Sequence, residues 1–272
     1  MLKTSGVPYD LHYLRDVLSN PSLWRYRVYV FEDTYRLSSD QRRVIAERLQ
    51  RDGKTLVWVY APGFVTEQGL SLRASSDLVG MNVQTEAAAK PTGAYAVPVE
   101  ATATPDLAGK LAAGLPSLQG MGEMYQKLWS LPEPPYLSYD LQRFWVDDPA
   151  AAVLARYRDG KAAIAVRRLP GPGGGGNDWT SVYVAPPGGL EGRLLNNIAR
   201  QAKAFVALDA GPAVEMNGNF LSLHGTVGGR YEITLPRRGT VRAADTGAVL
   251  ARSATSFTAD VQAQHTYWYL LE

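Results

Sequence analysis

The stretch from Tyr26 to Gly63 restricts what this chain can fold into more than any other, because it sets one capped amphipathic segment between two apolar runs. Tyr26-Arg-Val-Tyr-Val-Phe31 is rich in β-branched and aromatic residues and reads as a strand. Ser38 with Gln41 three positions later forms a capping-box pair, and Val44, Ile45 and Leu49 give the apolar stripe of a helix over about residues 40–51. Gly53 follows the helix end. The second strand, Thr55-Leu-Val-Trp-Val-Tyr60, delivers the chain into Ala61-Pro62-Gly63. Two strands joined by a helix make a βαβ unit, which is nearly always right-handed with parallel strands. In α/β proteins the carboxyl end of such a strand is where a nucleophile or ligand site is usually built. Here that turn holds no Cys, Ser, His or acid, which points to a supporting module rather than an enzyme.

The flanking segments extend the pattern. Leu11, Leu14 and Leu18 stand at helical spacing within Pro8–Leu18, and Asn20-Pro21 stops that helix. Leu78-Val-Gly-Met-Asn-Val83 reads as the close of a short helix and the start of a strand. From Thr85 to Leu118 the chain is rich in Ala, Thr, Pro and Gly, which suggests irregular edge strands and loops. Leu131-Pro-Glu-Pro-Pro135 suggests a stiff extended connector. Order returns with a strand at Arg143–Val146, a helix over 150–157 begun by Asp148-Pro149, and a strand at Lys161–Arg167. A Gly-rich tip over 170–178 leads into the strand Trp179–Val184, and Leu190, Leu194, Ile198 and Ala202 line a helix ending near Phe205. After Ala207, short alternating runs separated by Gly, Pro or Asn turns predict a small antiparallel β domain.

Composition narrows the chemistry. With 28 basic and 26 acidic residues the net charge is only +2, so neither a general nucleic-acid surface nor an anionic-membrane surface is indicated. The absence of cysteine removes disulfides, thiolate metal sites and Cys nucleophiles together. His12, His224 and His265 lack ligand spacing, so no metal or other cofactor is expected. No run has signal-peptide or membrane-span character, and the chain reads as soluble. The tract Gly171–Gly176 is broken by Pro172 and followed by a strand, which fits a hairpin tip rather than a dinucleotide fingerprint.

Glycoside hydrolysis needs two carboxyl groups held about 5–10 Å apart across the scissile bond. Asp147-Asp148 is an adjacent pair, but Asp148 before Pro149 reads as a helix cap. Glu32 and Asp33 sit at the functional edge of the predicted sheet and remain candidate contacts. Aromatic rings stack well on apolar sugar faces and anchor subunit contacts, which makes Trp145, Trp179 and Tyr183 candidates for either role.

The runs Pro8-Tyr-Asp-Leu11, Tyr26–Phe31 and Lys54-Thr-Leu-Val-Trp-Val-Tyr-Ala-Pro-Gly63 resemble the trimerisation domain of β-galactosidases of glycoside hydrolase family 42 and related glycosidases. Phe144-Trp-Val-Asp-Asp148 with Val153–Tyr157, and Asn219–His224 with Gly229–Pro236, are similar to the segment before that family's last α/β unit and to its closing β domain. The resemblance implies a flavodoxin-like, class I amidotransferase-like three-layer α/β sandwich over residues 1–207, with a mostly parallel sheet. An antiparallel β domain over 208–272 would follow it. It also implies a homotrimer. Two departures matter: the family's domain usually opens with a strand before the first helix, and the barrel that carries the catalytic carboxylates is absent here. Amidotransferase chemistry needs a Cys at a strand-to-helix elbow, and none exists. The resulting expectation is a non-catalytic C-terminal part of a glycosidase that serves subunit assembly and shapes the active-site rim. The alternative is a stand-alone protein that binds or hydrolyses carbohydrate with the strand-end cleft and exposed aromatics.

Overall fold

The computed structural model describes residues 2–86, 96–98, 110–111, 142–157, 159–174, 176–186 and 189–272. Contacts divide the chain into two compact units, Tyr13–Gly189 on one hand and Met1–His12 with Leu190–Glu272 on the other. The sequence places the boundary near residue 207. In the structure the segment around residues 192–201 groups with the β segments that follow it.

The α/β unit begins with helix α1 (Leu14–Ser19), shorter than the apolar spacing predicts. Leu11 is 90% exposed, so the first turn of the expected helix has no surface on which to bury its stripe, and propensity alone does not sustain it. Strand β1 (Val28–Phe31) is followed by α2 (Ser39–Arg48) and β2 (Thr55–Val59). The capping box forms as expected: Ser38 Oγ accepts from the Gln41 amide at 3.2 Å, and Gln41 Oε1 accepts from the Ser38 amide at 2.9 Å. β1 and β2 are parallel, with Val28 opposite Thr55 and Phe31 opposite Trp58. A small hairpin, β3 (Val65–Thr66) and β4 (Gly69–Leu70), leads into α3 (Leu72–Val79), which ends on Gly80 at φ +72°. Strands β5 (Val83–Glu86), β6 (Ala96–Pro98), β7 (Arg143–Val146), β8 (Ala152–Tyr157), β9 (Ala162–Leu169) and β10 (Trp179–Val184) follow.

These strands form an eight-stranded sheet in the order β1-β2-β10-β9-β7-β5, with β8 paired to β9 and β6. Among the described strands only β1, β2 and β10 run parallel. The other pairs are antiparallel, so the sheet is mixed rather than mostly parallel. The Gly-rich tip is the physical reason, since it reverses the chain between β9 and β10 as a hairpin with Trp179 opposite Leu169. A second correction concerns residues 150–157, which form β8 and not a helix. Asp148 caps a turn, with Oδ1 accepting from the Ala150 amide at 2.9 Å. Pairing with β9 then claims Ala152 to Arg156. Apart from Thr85 and Glu86, which end β5, and the short segments 96–98 and 110–111, the region read as irregular strands and connector lies outside the described residues.

Leu56, Val57, Trp58, Val182, Tyr183 and Val184 are buried, so the centre of the sheet is enclosed on both faces. Phe31 and Trp58 stack at 4.5 Å and 15°. The indole of Trp58 donates to Ser181 Oγ at 3.1 Å, and that hydroxyl donates to the Val79 carbonyl at 2.6 Å, which ties the end of α3 to the sheet.

The second unit contains helix α4 (Gly192–Gln201) and five antiparallel strands. These are β11 (Ala213–Asn217), β12 (Phe220–His224), β13 (Gly229–Ala243), β14 (Val249–Val261) and β15 (Thr266–Leu271), in the spatial order β11-β12-β15-β13-β14. Leu221, Leu223, Ile233, Val241, Phe257 and Tyr269 lie in its core. Residues 2–12 are bound in from a distance. The Gly6 carbonyl accepts from the Ala207 amide at 2.9 Å, and buried Asn196 donates to the carbonyls of Ser5 at 2.7 Å and Leu208 at 3.0 Å.

Candidate functional site

The carboxyl ends of β1, β2 and β10 converge, as the topology of parallel strands requires. β2 passes into Tyr60, which takes φ +65°, a left-handed conformation that costs a residue with a Cβ roughly 1–2 kcal/mol. Catalytic α/β elbows set a nucleophile on a strained strand-to-helix turn, whereas this strained strand-end turn leads into the β3–β4 hairpin. Here it is occupied by a tyrosine whose groups are all engaged. Its amide donates to the Val184 carbonyl at 2.9 Å, its carbonyl accepts from the Tyr183 hydroxyl, and its own hydroxyl donates to the Gln142 carbonyl at 3.0 Å.

A file of rings encloses the turn. Tyr35 meets Tyr60 edge to face at 5.8 Å, Tyr60 meets Phe144 at 5.2 Å, and Phe144 meets Phe64 at 5.2 Å. Such contacts contribute about 0.5–1.5 kcal/mol each beyond the area they bury. Burial raises the phenol pKa of both Tyr35 and Tyr60, so neither supplies a phenolate at neutral pH.

Beneath the turn lies Arg42. Its guanidinium donates to the carbonyls of Gly63, Ala74 (2.7 Å) and Leu37 (3.3 Å), linking the turn, α3 and the start of α2. Burial lowers its pKa, yet the group stays charged. Gly63 takes φ +60°, and a Cβ there would lie 2.8 Å from Arg42 Nη1 and 2.9 Å from Leu78 Cδ2. Only glycine suits both the backbone and the space.

Glu32 and Asp33 stand together at the end of β1, both exposed. Asp33 takes φ +52°, and its Oδ1 accepts from the Tyr35 hydroxyl at 2.5 Å. Although its side chain reaches solvent, desolvation by the surrounding protein, with the neighbouring Asp33 charge, raises the pKa of Glu32. Thr34 Oγ1 and Gln142 Oε1 are buried at this end without a hydrogen-bond partner among the described residues.

Of the predicted aromatic residues Tyr183 reaches this end, through its hydroxyl, but neither it nor Trp179 is open to a ligand. Trp179 is 5% exposed and Tyr183 is fully enclosed, because β10 is covered on both faces. Trp145 lies on β7, where the Lys161 ammonium sits 3.9 Å from its ring centroid and the Arg143 guanidinium 6.0 Å. Those cations are themselves held by Glu86 and Asp159. Asp148, the other acid considered, has Oδ2 engaged by the Asn82 amide at 3.1 Å and by Arg167 at 2.9 Å. It lies beside an open cleft of about 600 Å³ against α3. Among the described residues no cluster of His, Asp and Glu could hold a metal ion. No described helix is long and apolar enough to cross a membrane.

Tyr60, Tyr35, Phe144 and Arg42 were not singled out by the sequence. The one available signal was Tyr60 ending an apolar strand directly before Ala-Pro-Gly.

A mixed α/β unit with a separate antiparallel β unit is the class of fold these observations define. No family model matches the sequence, and no curated protein matches it. Among solved structures the chain is similar to part of several β-galactosidases. For the enzyme from Bacillus circulans sp. alkalophilus the TM-score is 0.56 at 16% identity, covering 94% of this chain and 34% of the enzyme. The cold-adapted enzyme of Rahnella sp. R3 gives 0.53 at 16% identity, covering 99% and 35%. The enzyme from the haloarchaeon Halorubrum lacusprofundi gives 0.53 at 16% identity, covering 100% and 34%. The chain thus spans about one third of the length of the β-galactosidases it resembles, and the likeness is one of fold.

Proposed function

We propose that this chain is a non-catalytic C-terminal portion of a glycoside hydrolase of the β-galactosidase kind, which assembles subunits into a trimer and shapes the rim of the active site. In this reading residues 1–207 correspond to an amidotransferase-like three-layer α/β domain and residues 208–272 to the closing β domain. The observation that carries the proposal is the strand-end turn at Tyr60. The strained strand-end position holds an aromatic ring and no nucleophile, with its amide, carbonyl and hydroxyl all bonded within the unit. The partial likeness to β-galactosidases supports the parent class.

Light scattering of the purified chain over a concentration series tests the assembly role. A species of three times the 29.7 kDa chain mass is expected, with no release of nitrophenol from a nitrophenyl β-galactoside. A strictly monomeric chain would refute assembly. Turnover abolished by substituting Glu32 or Asp33 would refute the non-catalytic role.

A second reading, carbohydrate binding at the strand end, is favoured by two polar atoms there that lack a partner among the described residues. Thr34 Oγ1 and Gln142 Oε1 could each engage a ligand hydroxyl beside Glu32 and Asp33. Glycan binding lost in Gln142→Ala would select it.

A further inference from the structure

The open face of the five-stranded sheet carries large apolar side chains that its core does not use. Residues alternate along β12 and β15. Leu221, Leu223, Tyr269 and Leu271 are buried, whereas Phe220, Trp268 and Leu270 are 41%, 52% and 40% exposed. Cross-strand register sets Phe220 opposite Leu270 and Ser222 opposite Trp268, so the three side chains form one patch. β11 extends both rows, placing Glu215 beside Ser222 and Asn217 beside Phe220, and β13 places Arg242 beside Leu270.

Charge and area decide which occupant suits this patch. Glu215 is paired with Lys3, and Arg242 Nε donates to both carboxylate oxygens of Glu272 at 3.0 Å. Each row therefore ends in a closed ion pair, and the patch offers no net charge to a polyanion or an acidic peptide. A second copy of the chain would need roughly 800 Å² per partner for a stable interface. About 450 Å² of that would be apolar, and three half-exposed side chains of this size supply only about 300 Å². What remains is an aromatic plane with a hydroxyl, a carboxylate and an amide beside it, on strands about 4.8 Å apart. A pyranose has the complementary form, an apolar C–H face and a rim of uncharged hydroxyls.

We infer that the open sheet face around Trp268 binds a neutral oligosaccharide. Trp268 is the stacking platform, Phe220 and Leu270 extend the apolar floor, and Ser222, Glu215 and Asn217 meet the rim hydroxyls. The site uses none of the residues at the strand end of the other unit and needs no second copy, so it stands whether or not the assembly role does.

Affinity electrophoresis of the whole chain in gels cast with β-1,4-galactan, with xyloglucan and with polygalacturonate tests this. Retardation by at least one of the two neutral glycans and none by polygalacturonate is expected. Trp268→Ala should weaken binding about tenfold or more, and Trp268→Phe should retain most of it. Gln142→Ala should leave it unchanged. Loss of retardation in Gln142→Ala with none in Trp268→Ala would place the glycan at the strand end and overturn the inference. Light scattering should give the same mass for wild type and Trp268→Ala. Absence of retardation in both neutral glycans, or retardation insensitive to Trp268→Ala, would overturn the inference. So would a fall in oligomer mass in Trp268→Ala, which would identify a second copy as the occupant.

Discussion

The Tyr183 hydroxyl donates its hydrogen bond to the main-chain carbonyl of Tyr60, the residue that turns the chain at positive φ. A fully buried phenol on one strand thus fixes a strained backbone position at the end of its neighbour. Tyr183→Phe keeps the ring and strands that carbonyl. A loss of about 1–3 kcal/mol in urea unfolding is expected, with little change in the denaturant slope.

The strain at Tyr60 can be separated from its packing. Tyr60→Ala and Tyr60→Gly both remove the ring from its contacts with Tyr35 and Phe144, but only glycine relieves the left-handed backbone. Tyr60→Gly should therefore be more stable than Tyr60→Ala by about 1 kcal/mol, against the usual order of the two residues. Equal stability, or an alanine advantage, would show that the turn relaxes.

Arg42 serves three carbonyls with one planar fork, which a lysine cannot reproduce. Arg42→Lys should cost about 1–3 kcal/mol, and Arg42→Met should cost more by leaving all three acceptors unserved. Thermal unfolding of both variants checks this. A lysine variant as stable as wild type would mean that the charge, not the fork, matters.

The acid limb of stability should depend on the Glu86–Arg143–Lys161–Asp159 group. Glu86 is held below the usual glutamate value, first by the hydrogen bond from Lys161 and also by the Arg143 charge. A depressed carboxyl contributes stability that is present above its unfolded value and lost as the pH falls through the folded one. Burial pushes Asp159 upward, but its bond from Arg143 prevails and its net shift is also downward. Both groups therefore act in the same direction. Glu86→Gln should flatten the decline in melting temperature below about pH 4.5, with little effect on its shape near neutrality. An unchanged acid limb would remove this group from the account.

Local grammar was legible where it was self-sufficient. The Ser38–Gln41 box, the βαβ pair and the hairpin tip each rest on residues close in sequence, and all three form. Residues 150–157 misled because Asp148-Pro149 before Ala-rich sequence satisfies every helix-start rule, while the partner that makes them a strand is β9. β11 went unread because five residues between Pro212 and Gly218 give too short a pattern. The strand-end site was only half legible. Glu32 and Asp33 follow from topology, but the φ of Tyr60 and the reach of Arg42 to Gly63 are set by tertiary packing. Burial of Trp179 and Tyr183 was hidden for a related reason: a strand covered on both faces shows no alternation from which an exposed ring could be told apart.

The threading of Gly6 beneath Leu208 has a consequence for the order in which the molecule comes together. A Cβ at position 6 would lie 2.0 Å from the Leu208 carbonyl oxygen, so this crossing tolerates no side chain. Because residues 1–12 complete a unit whose remainder is synthesised after Tyr13–Gly189, they must wait, unsatisfied, while that segment emerges and organises. A fragment starting at Leu190 should consequently be poorly soluble, and a synthetic peptide of residues 1–12 should rescue it in trans.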